Sequence, residues 1–164
     1  MHPVAVAELP ARLKTLFELW QGHCGALRFP APERLDPAAL QPWSREMHLV
    51  ELLDDGDLLF HRFSPVSTRR LGYDMTGRRL SSVATDERVI ARTGSYRRCL
   101  ILARPLAEFM PGAACGSNAG SDSSAYHRLL LPLGSGPQPH MLVVALAFGA
   151  DEAAGDDAIR DGAV

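Results

Sequence analysis

Six histidines, at positions 2, 23, 48, 61, 127 and 140, are the residues of this chain best suited to hold a metal or carry protons. A metal site needs several donors at one point, and a sequence shows this most plainly when they recur at ligand spacing. Here they do not. His61, His127 and His140 fall on three separate strand candidates. His2, His23 and His48 lie outside the short-helical stretch that would line a pocket, so structural or surface roles are expected. Cys24, Cys99 and Cys115 are odd in number and far apart with no CxxC, which points to reduced thiols rather than a disulfide framework or a zinc knuckle. Ser117, Ser121, Ser123 and Ser124 stand in a small-residue loop that cannot preorganise an oxyanion hole. No GxSxG, HExxH, phosphate-binding loop or dinucleotide fingerprint occurs. The expectation is a protein with no metal or cofactor that is not an enzyme.

Recognition chemistry has a better candidate in Arg62 and Asp74. Arg62 closes a strand candidate, and Asp74 stands in the turn Gly72-Tyr73-Asp74-Met75-Thr76-Gly77, so both are expected near the mouth between a sheet and the segment that crosses it. Two readings follow. Arg62 meets an acidic ligand, or Asp74 neutralises it while accepting the N–H groups of a turn that Gly72 and Gly77 shape; the ion pair is preferred. Phe60, Tyr73 and Tyr96 flank the same expected cavity and could grip a flat or aliphatic ligand. The same residue types also fill cores, and spacing does not separate the two uses.

Composition narrows the partners. The chain has 164 residues, enough for one core, with 46% apolar and 22% charged residues, the balance of a globular domain. A formal charge of −2 gives no electrostatic reason to bind nucleic acid or anionic lipid. All of its 17 basic residues except Lys14 are arginines, but they are scattered rather than convergent. The N-terminal residues lack a basic stretch followed by an apolar one, and no apolar run is long enough to span a bilayer. A cytoplasmic protein with no membrane contact is expected.

The elements that must position these residues follow from periodicity. Leu9, Leu13, Leu16, Phe17 and Trp20 recur at helical spacing, predicting an amphipathic helix within residues 1–26 that starts near Pro10 and ends at Gly22 or Gly25. Asp36-Pro37 predicts the start of a short helix to about Ser44. Met47 to Leu53 and Leu58 to Ser64 read as a hairpin around Asp54-Asp55-Gly56-Asp57, and Pro65 to Leu80 as turns and short helices. A weak helix from Asp86 to Thr93, stopped by Gly94, is followed by strand candidates at Arg97 to Leu106, Tyr126 to Leu133 and His140 to Phe148. Pro111 to Ser124 is expected to be a mobile linker and 150–164 a disordered acidic tail. The last strand is apolar on both faces, so each face needs a cover, and the N-terminal helix is the second one.

Two hairpin strands, a short-helical crossover and a three-strand meander make up a layout that resembles the PAS sensor family. The pieces that carry the resemblance are Leu16-Phe17-Glu18-Leu19-Trp20, Phe29-Pro30 with Leu35-Asp36-Pro37, Phe60-His61-Arg62-Phe63, Gly72-Tyr73-Asp74-Met75-Thr76-Gly77-Arg78, and Leu129-Leu130-Leu131-Pro132-Leu133. They match a bacterial subfamily of single-domain PAS proteins over about Leu16 to Phe148, except that Pro65 replaces a glycine usual after the strand arginine. The resemblance implies an α+β domain over 27–149 whose five-stranded antiparallel sheet carries short helices on one face and the N-terminal helix on the other. It also implies a sensory or adaptor role, with a small-molecule ligand, a signalling partner, or both, and no output domain of its own. A ligand-free interaction module and a small enzyme or metal protein on the same scaffold are the alternatives. Leu13, Leu16, Phe17 and Trp20 are expected to pack the helix and to help join two copies into a homodimer.

Overall fold

The computed structural model describes residues 2–83, 87–112 and 125–148, with the backbone alone for 87–92. Most of the expected linker, the expected acidic tail, and Cys115 with the loop serines lie outside the described residues.

Among the described residues six strands form one antiparallel sheet: β1 (His2–Pro3), β2 (Met47–Leu52), β3 (Leu58–Arg62), β4 (Leu106–Met110), β5 (Tyr126–Leu133) and β6 (Met141–Phe148). Their order is β1-β4-β5-β6-β2-β3. The last strand thus lies inside the sheet, pairing with β5 on one side and β2 on the other. Five strands are predicted from the sequence; the sixth, β1, is two residues long and pairs with the outer edge of β4. So short a strand has no periodicity to read. The β2–β3 hairpin turns where expected, with Gly56 at φ 81.

Three α-helices among the described residues accompany the sheet: α1 (Ala11–Cys24), α2 (Pro65–Leu71) and α3 (Glu87–Leu102). Helix α1 lays Leu13, Leu16, Trp20 and Cys24 against Leu129, Leu131, Val143 and Ala145 on one sheet face, here called the outer face. Its Trp20 indole donates to the Pro132 carbonyl at 3.0 Å, which fixes the helix over β5. The opposite, inner face presents Val50, Phe60, Leu130, Leu142 and Val144 to the crossover and to Tyr96, Cys99 and Leu100 of α3. β6 supplies apolar residues to both layers, as its two-sided apolar pattern requires.

Two local expectations fail. Arg97 to Leu106 is not a strand: α3 runs through Gly94 to Leu102, and only then does β4 begin. Buried Tyr96, Cys99, Leu100 and Ala103 recur at helical spacing, and the loss of about 1 kcal/mol from a mid-helix glycine is small beside that burial. Asp36 to Ser44 is not a helix but a strap of turns and a 3-10 turn at Gln41–Trp43, in which Asp36 accepts the Ala38 N–H. Pro65 is the first residue of α2. The Ser64 hydroxyl accepts the Ser67 N–H at 3.0 Å, so Ser64-Pro65 is an N-cap and N1 pair rather than the end of a strand.

Candidate functional site

The inner face gathers Phe60, Tyr73 and Tyr96, three of the four residues proposed from sequence to grip a ligand. Phe60 and Tyr96 are buried, with ring centroids 6.4 Å apart, and Phe60 packs edge-on to Phe63 at 5.5 Å. Tyr73 is half-buried at the margin of this cluster. The turn after α2 forms as expected: Gly72 (φ 78) caps the helix, Gly77 (φ 73) donates to the Phe60 carbonyl, and Asp74 accepts both the N–H and the hydroxyl of Thr76 at 2.8 Å.

The Arg62–Asp74 ion pair does not form among the described residues. A bulge in β3 places Arg62 opposite Leu49 rather than in phase with Phe60, which itself pairs with Val50. Arg62 therefore lies on the outer face, where its guanidinium donates to the Ser44 carbonyl at 2.8 Å. One inserted residue thus moves the cation to the other side of the sheet, and nothing in the sequence marks it.

Sequence reasoning also missed a buried ion pair. Arg128 on β5 and Glu108 on β4 are directly paired in the ladder and both buried, with Arg128 Nη2 to Glu108 Oε2 at 2.5 Å and Nε to the same oxygen at 3.0 Å. Arg128 Nη2 also donates to the Ser95 hydroxyl at 2.6 Å, and the guanidinium lies 5.4 Å from the Tyr96 ring centre. The available signal was opposite charge at alternating positions of neighbouring strands, but reading it requires the register across the linker and the correct placement of β4. Burial, only partly opposed by the nearby Arg128 charge, pushes the Tyr96 hydroxyl up to about 12. Burial does the same to the Cys99 thiol, so it is no nucleophile at neutral pH.

His48, on β2, completes the inner polar layer. Its Nδ1 accepts the Ser64 N–H at 3.0 Å, so the ring proton is on Nε2 and faces the Ser67 hydroxyl at 3.4 Å. Burial first, and the Arg128 charge second, hold its pKa down to about 3. It is neutral at physiological pH. Among the described residues no group of His, Cys, Asp and Glu could hold a metal ion, and His61 instead pairs with Glu51 at 2.6 Å.

The outer face carries an open recess beside α1. The strap over 30–44 is pinned at both ends: Gly134 donates to the Pro30 carbonyl, and the Trp43 indole donates to the Arg12 carbonyl at 2.9 Å. A side chain at Gly134 would meet the Pro139 backbone at 2.8 Å, so the close turn between β5 and β6 requires glycine. Between strap and sheet lies a cleft of about 210 Å³. The strap contributes Pro32, Leu35, Pro37, Leu40 and Ser44; the sheet contributes Met47, Leu49, Leu133, Met141 and Val143. Among the described residues Arg62 is the only ionisable one of its lining.

No protein-family model, curated protein or solved structure matches the chain. Among the described residues no helix is long and apolar enough to cross a membrane.

Proposed function

We propose that this chain is a cytoplasmic PAS-like sensory or adaptor domain, which binds a small molecule, a protein partner, or both, and passes the event to another chain. The order of the sheet carries the reading: a hairpin, a helical crossover and a meander whose last strand returns beside the first strand of the hairpin. Helices on both faces agree with it, and the cleft under the strap offers room for a guest. Native mass spectrometry of the purified chain, together with an absorbance scan, tests it. A co-purifying small molecule supports sensing; a haem band or a stoichiometric transition metal would overturn it.

A ligand-free interaction module is the second reading, and it has its own observation. Leu27 is 57% exposed and Ile101 76% exposed, on segments tied together where Arg28 donates to the Leu102 carbonyl at 3.4 Å. Two large apolar side chains left exposed on neighbouring segments support a protein partner where they join into one patch. A homodimer belongs to the same proposal, though through a narrower surface than the helix stripe suggests. Leu9, Leu13, Leu16 and Trp20 are buried against the chain's own sheet, which leaves half-buried Phe17, Val4 and Val6 for a second copy. Light scattering that gives the monomer mass at micromolar concentration would remove the dimer.

A further inference from the structure

We infer that the outer-face cleft binds a short amphipathic carboxylate, with its acyl chain on the apolar floor and its carboxylate on Arg62. From the preceding proposal this takes only that the domain binds a small molecule, and it places the guest on the face opposite the aromatic cluster of Phe60 and Tyr96.

The floor sets the tail. Leu49, Leu133, Met141 and Val143 from the sheet and Leu35 and Leu40 from the strap are all aliphatic or thioether side chains. The space, about 210 Å³, exceeds the roughly 150 Å³ that takes a benzene ring in another protein and falls short of the roughly 300 Å³ where drug-sized sites begin. A chain of roughly six to eight carbons fits that range.

The rim sets the head group. Arg62 is exposed at the cleft, and among the described residues its guanidinium makes one hydrogen bond, to the Ser44 carbonyl at 2.8 Å. A backbone carbonyl orients the fork without neutralising it, so the remaining N–H donors keep their capacity for a carboxylate. Among the described residues no Asp or Glu lines the cleft, which disfavours an amine of the same length. Arg128 shows the contrast within the same sheet, since the fold itself supplies its carboxylate in Glu108.

Calorimetric titration of the full chain with hexanoate, octanoate, octanol and octylamine, with methyl spectra recorded alongside, tests the inference. Octanoate should bind, tighter than hexanoate by about four-fold per added methylene, and should shift the methyl signals of Leu49, Met141 and Val143. Octanol should bind roughly ten-fold or more weaker than octanoate, and octylamine weaker still. Arg62→Gln, at an exposed position, should lower octanoate to the affinity of octanol and leave octanol unchanged. Leu40→Trp, which fills the recess, should remove both. Equal octanoate affinity in the parent chain and Arg62→Gln would overturn the inference, as would shifts confined to the Phe60 and Tyr96 face. A co-purified molecule that leaves the cleft methyls unmoved would also overturn it while sparing the sensor proposal.

Discussion

Arg128 and Arg62 stand on opposite faces of one sheet and show two ways a protein can treat a guanidinium. On the inner face Arg128 is 1% exposed, and Glu108, Ser95 and the Tyr96 ring meet it within the fold. On the outer face Arg62 is exposed at an aliphatic recess, held by one backbone carbonyl and, among the described residues, accompanied by no acid. Burial makes the first arginine dependent on its partners, because an unpaired charge in low dielectric is costly. Exposure leaves the second nearly independent of the fold and so available to something outside it. The residue type alone says little; the counter-charge the fold supplies, or withholds, decides the role.

The largest effect expected comes from breaking the inner pair. Glu108→Ala should destabilise the chain by about 3–5 kcal/mol in urea unfolding, because it strands the buried guanidinium. The double change Glu108→Leu with Arg128→Met should recover most of that loss, since it removes both charges together. A double variant no more stable than the single one would mean that the loss comes from the missing pair and its hydrogen bonds rather than from a stranded charge.

Next comes acid. His48 has a folded pKa of about 3 against an ordinary value of 6.5, so the unfolded chain takes up its proton first as pH falls. The stability this neutral ring permits is complete above about pH 6.5 and is lost as pH drops towards 3, reaching a loss of roughly 3 kcal/mol by pH 4. His48→Asn keeps an acceptor for the Ser64 N–H and removes the titration, so its stability should be flatter across that window. An unchanged slope in denaturation series at pH 7, 5.5 and 4 would assign the acid sensitivity to other groups.

Smaller still is the cap. Ser64→Ala removes the acceptor for the Ser67 N–H at the start of α2 and should cost about 1 kcal/mol. Its hydroxyl also donates to the Arg45 carbonyl, so a cost well below this would show that water replaces both bonds. The smallest effect should be that of Arg62→Gln, within about 0.5 kcal/mol. A loss of several kcal/mol there would erase the contrast between the two arginines.

Much of the fold was legible. The helical spacing of Leu9, Leu13, Leu16 and Trp20 gave α1, Gly56 gave the hairpin turn, and the apolar runs of β5 and β6 were found within a residue or so of their ends. α3 runs past the predicted stop at Gly94; Cys99, Leu100, Ile101 and Leu102 form an apolar run that suits a strand as well as a helix. The candidate site was less legible. Phe60, Tyr73 and Tyr96 do come together, but Arg62 does not join them, and the strap that builds the cleft is made of prolines and turns with no period to read.

Local chemistry settled in advance what depends on neighbours a few residues apart: the helical stripe, the Asp74 turn with its two glycines, and the β6 pattern that demands a cover on each face. Only the tertiary structure decided which charges meet. Glu108 and Arg128 are 20 residues apart in sequence and face each other because of ladder register. Arg62 and Asp74 are close in sequence and part because one bulged residue reverses the face on which a side chain emerges. Strand geometry alternates faces at every residue, so a single insertion that costs little locally reassigns a charge from the core to the surface.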